Sequence, residues 1–121
     1  MTYVSSPTDL RIRKILQDIE GNPSTDVEDL AVTARLSISR LSHLFKDQMG
    51  ISLNSFLANA RLDKAAELLL STEMQIKEIT YTVGYNHASS FDRAFRKRFH
   101  SSPNNYRNEH RMEMTESAKH G

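Results

Sequence analysis

Phe91-Asp-Arg-Ala-Phe-Arg-Lys-Arg-Phe99, FDRAFRKRF, sets four cations inside a frame of three phenylalanines spaced four residues apart. At about 100° of turn per residue the phenylalanines form one apolar stripe, while Ser89, Arg93, Arg96 and Lys97 gather on the opposite side. Arg98 falls beside the stripe, where its stem is expected to run along apolar surface. Alone, such a charge run is as readily a solvated helix face as a surface built to meet an anion. The deciding observation lies one repeat upstream.

Leu41-Ser-His-Leu-Phe-Lys-Asp-Gln-Met49, LSHLFKDQM, carries the same pattern at a shift of 50 residues. Leu41, Phe45, Met49, Ser52, Asn54 and Phe56 fall on Phe91, Phe95, Phe99, Ser102, Asn104 and Tyr106. At a shift of 49, Val27-Glu-Asp-Leu30 falls on Ile76-Lys-Glu-Ile79, and the one-residue slip lies in the turn between helices. The repeating unit is a short helix, a tight turn, a longer helix and a Ser-led new helix. This is the helix-turn-helix layout, whose second helix can enter a major groove while its back packs on the first. Opposite the core, the first copy presents Ser39, His43, Lys46 and Asp47, aligned with Ser89, Arg93, Arg96 and Lys97. Small polar residues at the start of such a face let a helix approach base edges. Longer cations further along stand where phosphates lie.

The rest of the chain is helical in period, without strand alternation. Ser6-Pro7-Thr8-Asp9 is a start signal, Ile12, Ile15, Leu16 and Ile19 make one face, and Gly21-Asn22-Pro23 ends it. Thr25-Asp26-Val27-Glu28 has capping-box spacing ahead of Val27, Leu30, Ala31 and Ala34. Ser37 can cap a third helix that buries Leu41, Leu44, Phe45 and Met49 and stops at Gly50. Ser52 opens a long fourth helix through Phe56, Ala60, Ala65 and Leu69 to about Ser71. Shorter helices are expected over 75–83, 87–99 and 103–111, the last introduced by Ser102-Pro103. His100, after a helix end, is expected at positive φ, a conformation costlier for His than for Gly. Residues 1–5 and 112–121 lack pattern, and the latter are expected to form a disordered tail.

Composition narrows the class. A chain of 121 residues is one domain by length, and a hydrophobic share of 38% suits small helical units with much surface. Net charge is only +1, but residues 88–111 hold Arg93, Arg96, Lys97, Arg98, Arg107 and Arg111 against Asp92 and Glu109. With no cysteine, disulfides and thiolate metal sites are excluded. No signal-peptide core follows Met1 and no apolar run approaches membrane length, so a soluble, cytoplasmic chain is expected.

Taken together, Leu30-Ala31, Ser37, Leu41, Phe45-Lys46, Gly50, Arg61-Leu62, Ala65-Ala66 and Leu69-Leu70, then Ile76, Ile79, Gly84-Tyr85, Phe91, Arg93, Phe95-Arg96-Lys97, Pro103 and Tyr106-Arg107, resemble the DNA-binding domain of AraC/XylS-type transcription regulators. The resemblance covers about residues 9–108. It departs at His100, where the family usually has Gly, and at Thr80, where it usually has Ala. It implies an all-α fold of about seven helices, as two helix-turn-helix subdomains joined by a long linking helix. It also implies sequence-specific binding of double-stranded promoter DNA and activation through RNA polymerase. No cofactor is expected, and no metal, since His43, His87, His100 and His110 are scattered.

The expected division is residues 6–51 for the first subdomain, 52–71 for the linking helix and 72–111 for the second subdomain. At ~1.5 Å per residue the linking helix is roughly 30 Å long, close to the ~34 Å between successive major grooves on one side of B-DNA, so a monomer is expected to read both. The candidate base readers are Ser39, Ser42, His43, Ser89, Asp92 and Arg93. The candidate phosphate contacts are Arg40, Lys46, Arg96, Lys97 and Arg107. Asp92, aligned with Ser42, is expected either to accept from a cytosine N4 or to orient Arg93. The rival reading is a helical protein-interaction module that turns its basic face to an acidic partner. An enzyme has little support, because His-Glu-x-x-His, a Gly-rich phosphate loop and paired carboxylates are all missing.

Overall fold

Short polar side chains decide where most of the helices begin. The computed structural model describes residues 8–120, and among these it contains seven helices and no strand. They are α1 (Leu10–Gly21), α2 (Val27–Ala34), α3 (Ile38–Met49), α4 (Leu53–Ser71), α5 (Ile76–Thr82), α6 (Ala88–Phe99) and α7 (Pro103–His120). The expected Ser6-Pro7 start lies outside the described residues, and Asp9 is the residue that caps α1, accepting from the Arg11 N–H. For α2 the cap sits one residue later than the Thr25 box: the Asp26 carboxylate accepts from Asp29 N–H at 2.9 Å. A charged acceptor beside the positive end of a helix outcompetes a neutral hydroxyl next to it. Ser37 caps α3 through Arg40 N–H as expected, at 3.1 Å.

The chain divides into two compact units, with the break between Ala60 and Arg61, inside α4. The first core gathers Ile12, Ile15, Leu16 and Ile19 of α1, Leu30, Ala31 and Ala34 of α2, Leu41, Phe45 and Met49 of α3, and Leu53, Leu57 and Ala60 of α4. Phe45 meets the half-buried Phe56 edge to face, with ring centroids 5.4 Å apart. Gln48 of α3 ties down the start of α1, its Oε1 accepting from the Thr8 and Asp9 N–H groups at 2.9 and 3.2 Å.

The second core holds Leu62, Ala65, Ala66 and Leu69 of α4, Ile79 of α5, Val83, and Phe91 and Phe95 of α6. Here aromatics do the filling: Phe95 lies 5.7 Å from Phe91, 4.6 Å from Phe99 and 5.4 Å from Tyr106. Each fully buried phenylalanine contributes about 1.5–3 kcal/mol by removal of apolar surface from water. The buried Thr80 satisfies its hydroxyl on the Ile76 carbonyl at 2.9 Å, which explains how it is accommodated inside α5.

Both helix-turn-helix corners are built alike. After α2, Arg35 turns left-handed at φ 58° and Leu36 N–H bonds back to the Ala31 carbonyl at 3.1 Å. After α5, Gly84 does so at φ 106° and Tyr85 N–H bonds back to the Thr80 carbonyl at 3.1 Å. This six-to-one closure satisfies carbonyls that a helix end leaves open.

One boundary differs from expectation. α7 runs to His120, so the tail expected from residue 112 is helical as far as His120. Glu113, Ala118 and Lys119 are strong helix formers, and propensity extends a helix where no apolar period marks it.

Candidate nucleic-acid interface

The second helix of each corner carries the candidate surface. Along α3, Ser39, Arg40, His43, Lys46 and Asp47 are exposed and Ser42 is half-buried, while Leu41 and Phe45 face inward. Along α6, Ser89, Arg93, Arg96 and Lys97 are exposed and Asp92 is half-buried, while Phe91 and Phe95 face inward. Apolar spacing therefore fixes which side of each helix is offered outward.

What the cations are doing separates them into two groups. Among the described residues, Arg40, Lys46, Arg93 and Lys97 have no ion-pair partner, so meeting a phosphate breaks no existing bond. Arg96 differs, because its Nε donates to Asp92 Oδ2 at 2.8 Å. Among the described residues Asp92 is thus bonded to Arg96 one turn on rather than to Arg93; its other expected role, accepting from a cytosine N4, concerns bound DNA. An i,i+4 spacing brings the two side chains together, whereas adjacent residues point apart. Arg98 is also committed: Nε and Nη2 grip Asp63 of α4 at 2.8 and 3.0 Å, and its guanidinium lies 5.6 Å from the Phe99 ring centre.

Arg107, expected at a phosphate, is engaged within the chain. Its Nε donates to the Leu69 carbonyl at 2.9 Å and its Nη2 to the Thr72 carbonyl at 3.3 Å. Arg111 adds a bond to the same Thr72 carbonyl and an ion pair with Glu73 at 2.9 Å. Together they close the C-terminal end of α4, whose last carbonyls have no partners within the helix and carry its negative pole.

Beside each recognition helix stands a second duplicated feature, the Ser-led helix start expected from the repeat. Ser52 Oγ accepts from Ser55 N–H and Ser102 Oγ from Asn105 N–H, both at 3.1 Å, so α4 and α7 begin with the same cap. Asn54, next to the α4 cap, lines an open groove of about 360 Å³ with Ser42, His43 and Lys46. Asn104, its counterpart, lines one of about 430 Å³ with Asp92 and Arg96. The pairing of Asn54 with Asn104 in the repeat was the available signal.

Comparison with known proteins agrees with this geometry. A family model described as a helix-turn-helix domain matches residues 30–109. The arabinose operon regulatory protein of Escherichia coli (strain K12) is 38% identical over 104 residues, which is 84% of this chain and 36% of that protein. MtrA of Neisseria gonorrhoeae, an HTH-type transcriptional regulator, is 31% identical over 103 residues, 84% of this chain and 34% of its own. Among solved structures, the C-terminal domain of AraT, a response regulator from Geobacillus stearothermophilus, superposes with a TM-score of 0.76 at 38% identity, covering 85% of this chain and 88% of that one. The DNA-binding domain of AdpA, solved with a target DNA, has a TM-score of 0.77 at 23% identity over 85% of this chain and 95% of that one, a likeness of fold. The chain belongs to the AraC-type family of helix-turn-helix transcription regulators and corresponds to their DNA-binding domain. It spans about a third of the length of the curated relatives it matches. No helix among the described residues is long and apolar enough to cross a membrane.

Proposed function

We propose that this chain binds double-stranded promoter DNA sequence-specifically, as a monomer in the cytoplasm, through two major-groove contacts made by α3 and α6. The observation that carries the reading is the duplicated face on which Arg40, Lys46, Arg93 and Lys97 stand exposed beside small hydroxyls, without an ion-pair partner among the described residues. Ser39, Ser42, His43, Ser89 and Arg93 face base edges in this reading. Arg40, Lys46 and Lys97 meet phosphates, and Arg96 joins them at the expense of its bond to Asp92. Arg93, early on α6, forms the bidentate contact to guanine that an arginine fork allows. RNA polymerase is the second partner, and the relative named as a transcriptional activator supports that direction of regulation.

Selection of bound sequences from a random duplex pool, followed by footprinting of the selected site, tests this. Two protected major-groove segments about one helical turn apart under a single protomer are expected. Protection of one groove only, or a requirement for two protomers, would count against it. Binding that ignores DNA sequence would favour the protein-interaction reading instead. Transcription from a template bearing the selected site, with purified polymerase, tests activation separately.

A further inference from the structure

His43 Nδ1 lies 3.2 Å from the carbonyl oxygen of Ser39, one turn earlier on α3. A carbonyl only accepts, so the nitrogen facing it carries the proton. In the neutral ring the other nitrogen, Nε2, is then a lone-pair acceptor. The ring is exposed, and Nε2 has no hydrogen-bond partner among the described residues. Its charged surroundings are Arg40, Lys46 and Asp47 on α3 and Arg11 of α1, whereas the start of α4 offers only the uncharged Ser52 and Asn54.

Resting on the DNA-reading function proposed above, we infer that neutral His43 reads an exocyclic amine in the major groove, the N6 of adenine or the N4 of cytosine. Those amines are the donors on the major-groove edge, while guanine and thymine turn acceptors toward the same space. An Nε2 lone pair bonds the first pair and repels the second. Once the ring takes a second proton, Nε2–H becomes a donor and the order inverts toward guanine and thymine. Arg93 on α6 is a donor at every accessible pH. One chain therefore holds a reader whose base preference depends on pH and another whose preference does not.

The test uses the full chain and a selected duplex. The position whose base preference disappears in His43→Ala is identified first, and all four base pairs are placed there. Affinities are then compared at about pH 8 and about pH 5.5, the range over which histidine serves as a switch. At the higher pH adenine or cytosine should be favoured by about ten-fold, with the two told apart by their separate duplexes. At the lower pH the order should invert at that position alone. His43→Gln, whose amide offers an acceptor at both pH values, should keep the amine preference without the inversion. Guanine or thymine favoured at the higher pH, an order unchanged by pH, or no position flattened by His43→Ala would each overturn the inference. Sequence preference elsewhere in the site that survives such a result leaves the DNA-reading function standing, whereas a chain that shows no preference at any position overturns both.

Discussion

Gly50 and His100 close the two recognition helices in the same left-handed conformation, at φ 74° and 60°, each donating its N–H at 2.8 Å to the carbonyl four residues back, on Lys46 and Arg96 respectively. The backbone demand is identical and the residues are not. An added Cβ at Gly50 would meet nothing within 4 Å, so the cost of a side chain there is conformational alone. Gly50→Ala should therefore lower stability by about 1 kcal/mol, and His100→Gly should raise it by a similar amount. Urea titrations of both variants check this; equal and opposite shifts in midpoint are expected, with DNA affinity unchanged.

The bond from Arg96 to Asp92 predicts a gain of affinity on removing a carboxylate. The pair is exposed and stabilises the fold by only about 0.3–0.5 kcal/mol. In Asp92→Ser, which copies the first repeat, Arg96 is released and a negative charge leaves the phosphate surroundings. Binding to scrambled duplex should tighten, and the slope of log affinity against log salt should steepen by up to about one. Equal weakening on every duplex would instead mark Asp92 as structural.

Arg93 and Lys97, both without an ion-pair partner among the described residues, should fail in different ways. Arg93→Ala is expected to cost about 1–3 kcal/mol of discrimination between the selected and a scrambled duplex. Lys97→Ala should weaken both duplexes alike and lower the salt slope by roughly one. Affinities for the two duplexes across a salt series separate these outcomes, and an exchange of the two phenotypes would reverse the assignment of reader and clamp.

Arg107 should behave as a structural residue. Its loss leaves the Leu69 and Thr72 carbonyls without its charge-assisted bonds, at about 1.5–3 kcal/mol. Arg107→Ala should melt earlier while its salt slope on DNA, measured well below the melting temperature, stays that of the parent. A slope reduced by one would restore it to the phosphate set.

The start of α1 should be sensitive to acid. The Arg11 side chain, and then its backbone N–H, hold the Asp9 carboxyl down at about 2, against 3.8 ordinarily. A carboxyl lowered on folding stabilises the folded state above its unfolded value, and that contribution is lost as pH falls toward the folded one. Asn still caps a helix but does not titrate. The stability difference between the parent and Asp9→Asn should therefore shrink between about pH 4 and pH 2, as read by acid unfolding.

Local rules carried most of the fold. Ser37, Gly50 and Ser52 bound their helices because a cap depends only on residues three or four positions away. Capping-box spacing points to Thr25 rather than Asp26 because two good acceptors stand side by side, and spacing alone does not rank them. The two faces were legible because Phe91 and Phe95 on α6, and Leu41 and Phe45 on α3, leave a single side outward. Arg107 and Arg98 were not, since their partners Leu69 and Asp63 lie 38 and 35 residues away along the chain. An arginine looks the same in sequence whether its partner is a phosphate or a helix end.

The aromatic filling of the second unit gives the molecule a built-in optical label. The sequence has no tryptophan and four tyrosines, of which Tyr81, Tyr85 and Tyr106 belong to that unit. Tyr85 packs edge to face on Phe91 at 5.5 Å and Tyr106 on Phe95 at 5.4 Å, fixing two chromophores in asymmetric surroundings. Near-ultraviolet dichroism therefore follows the loss of packing around α6, while the amide band follows helices of both units. The distance between the two denaturation curves, recorded on one sample without any dye, measures how far the half of the chain bearing FDRAFRKRF unfolds on its own.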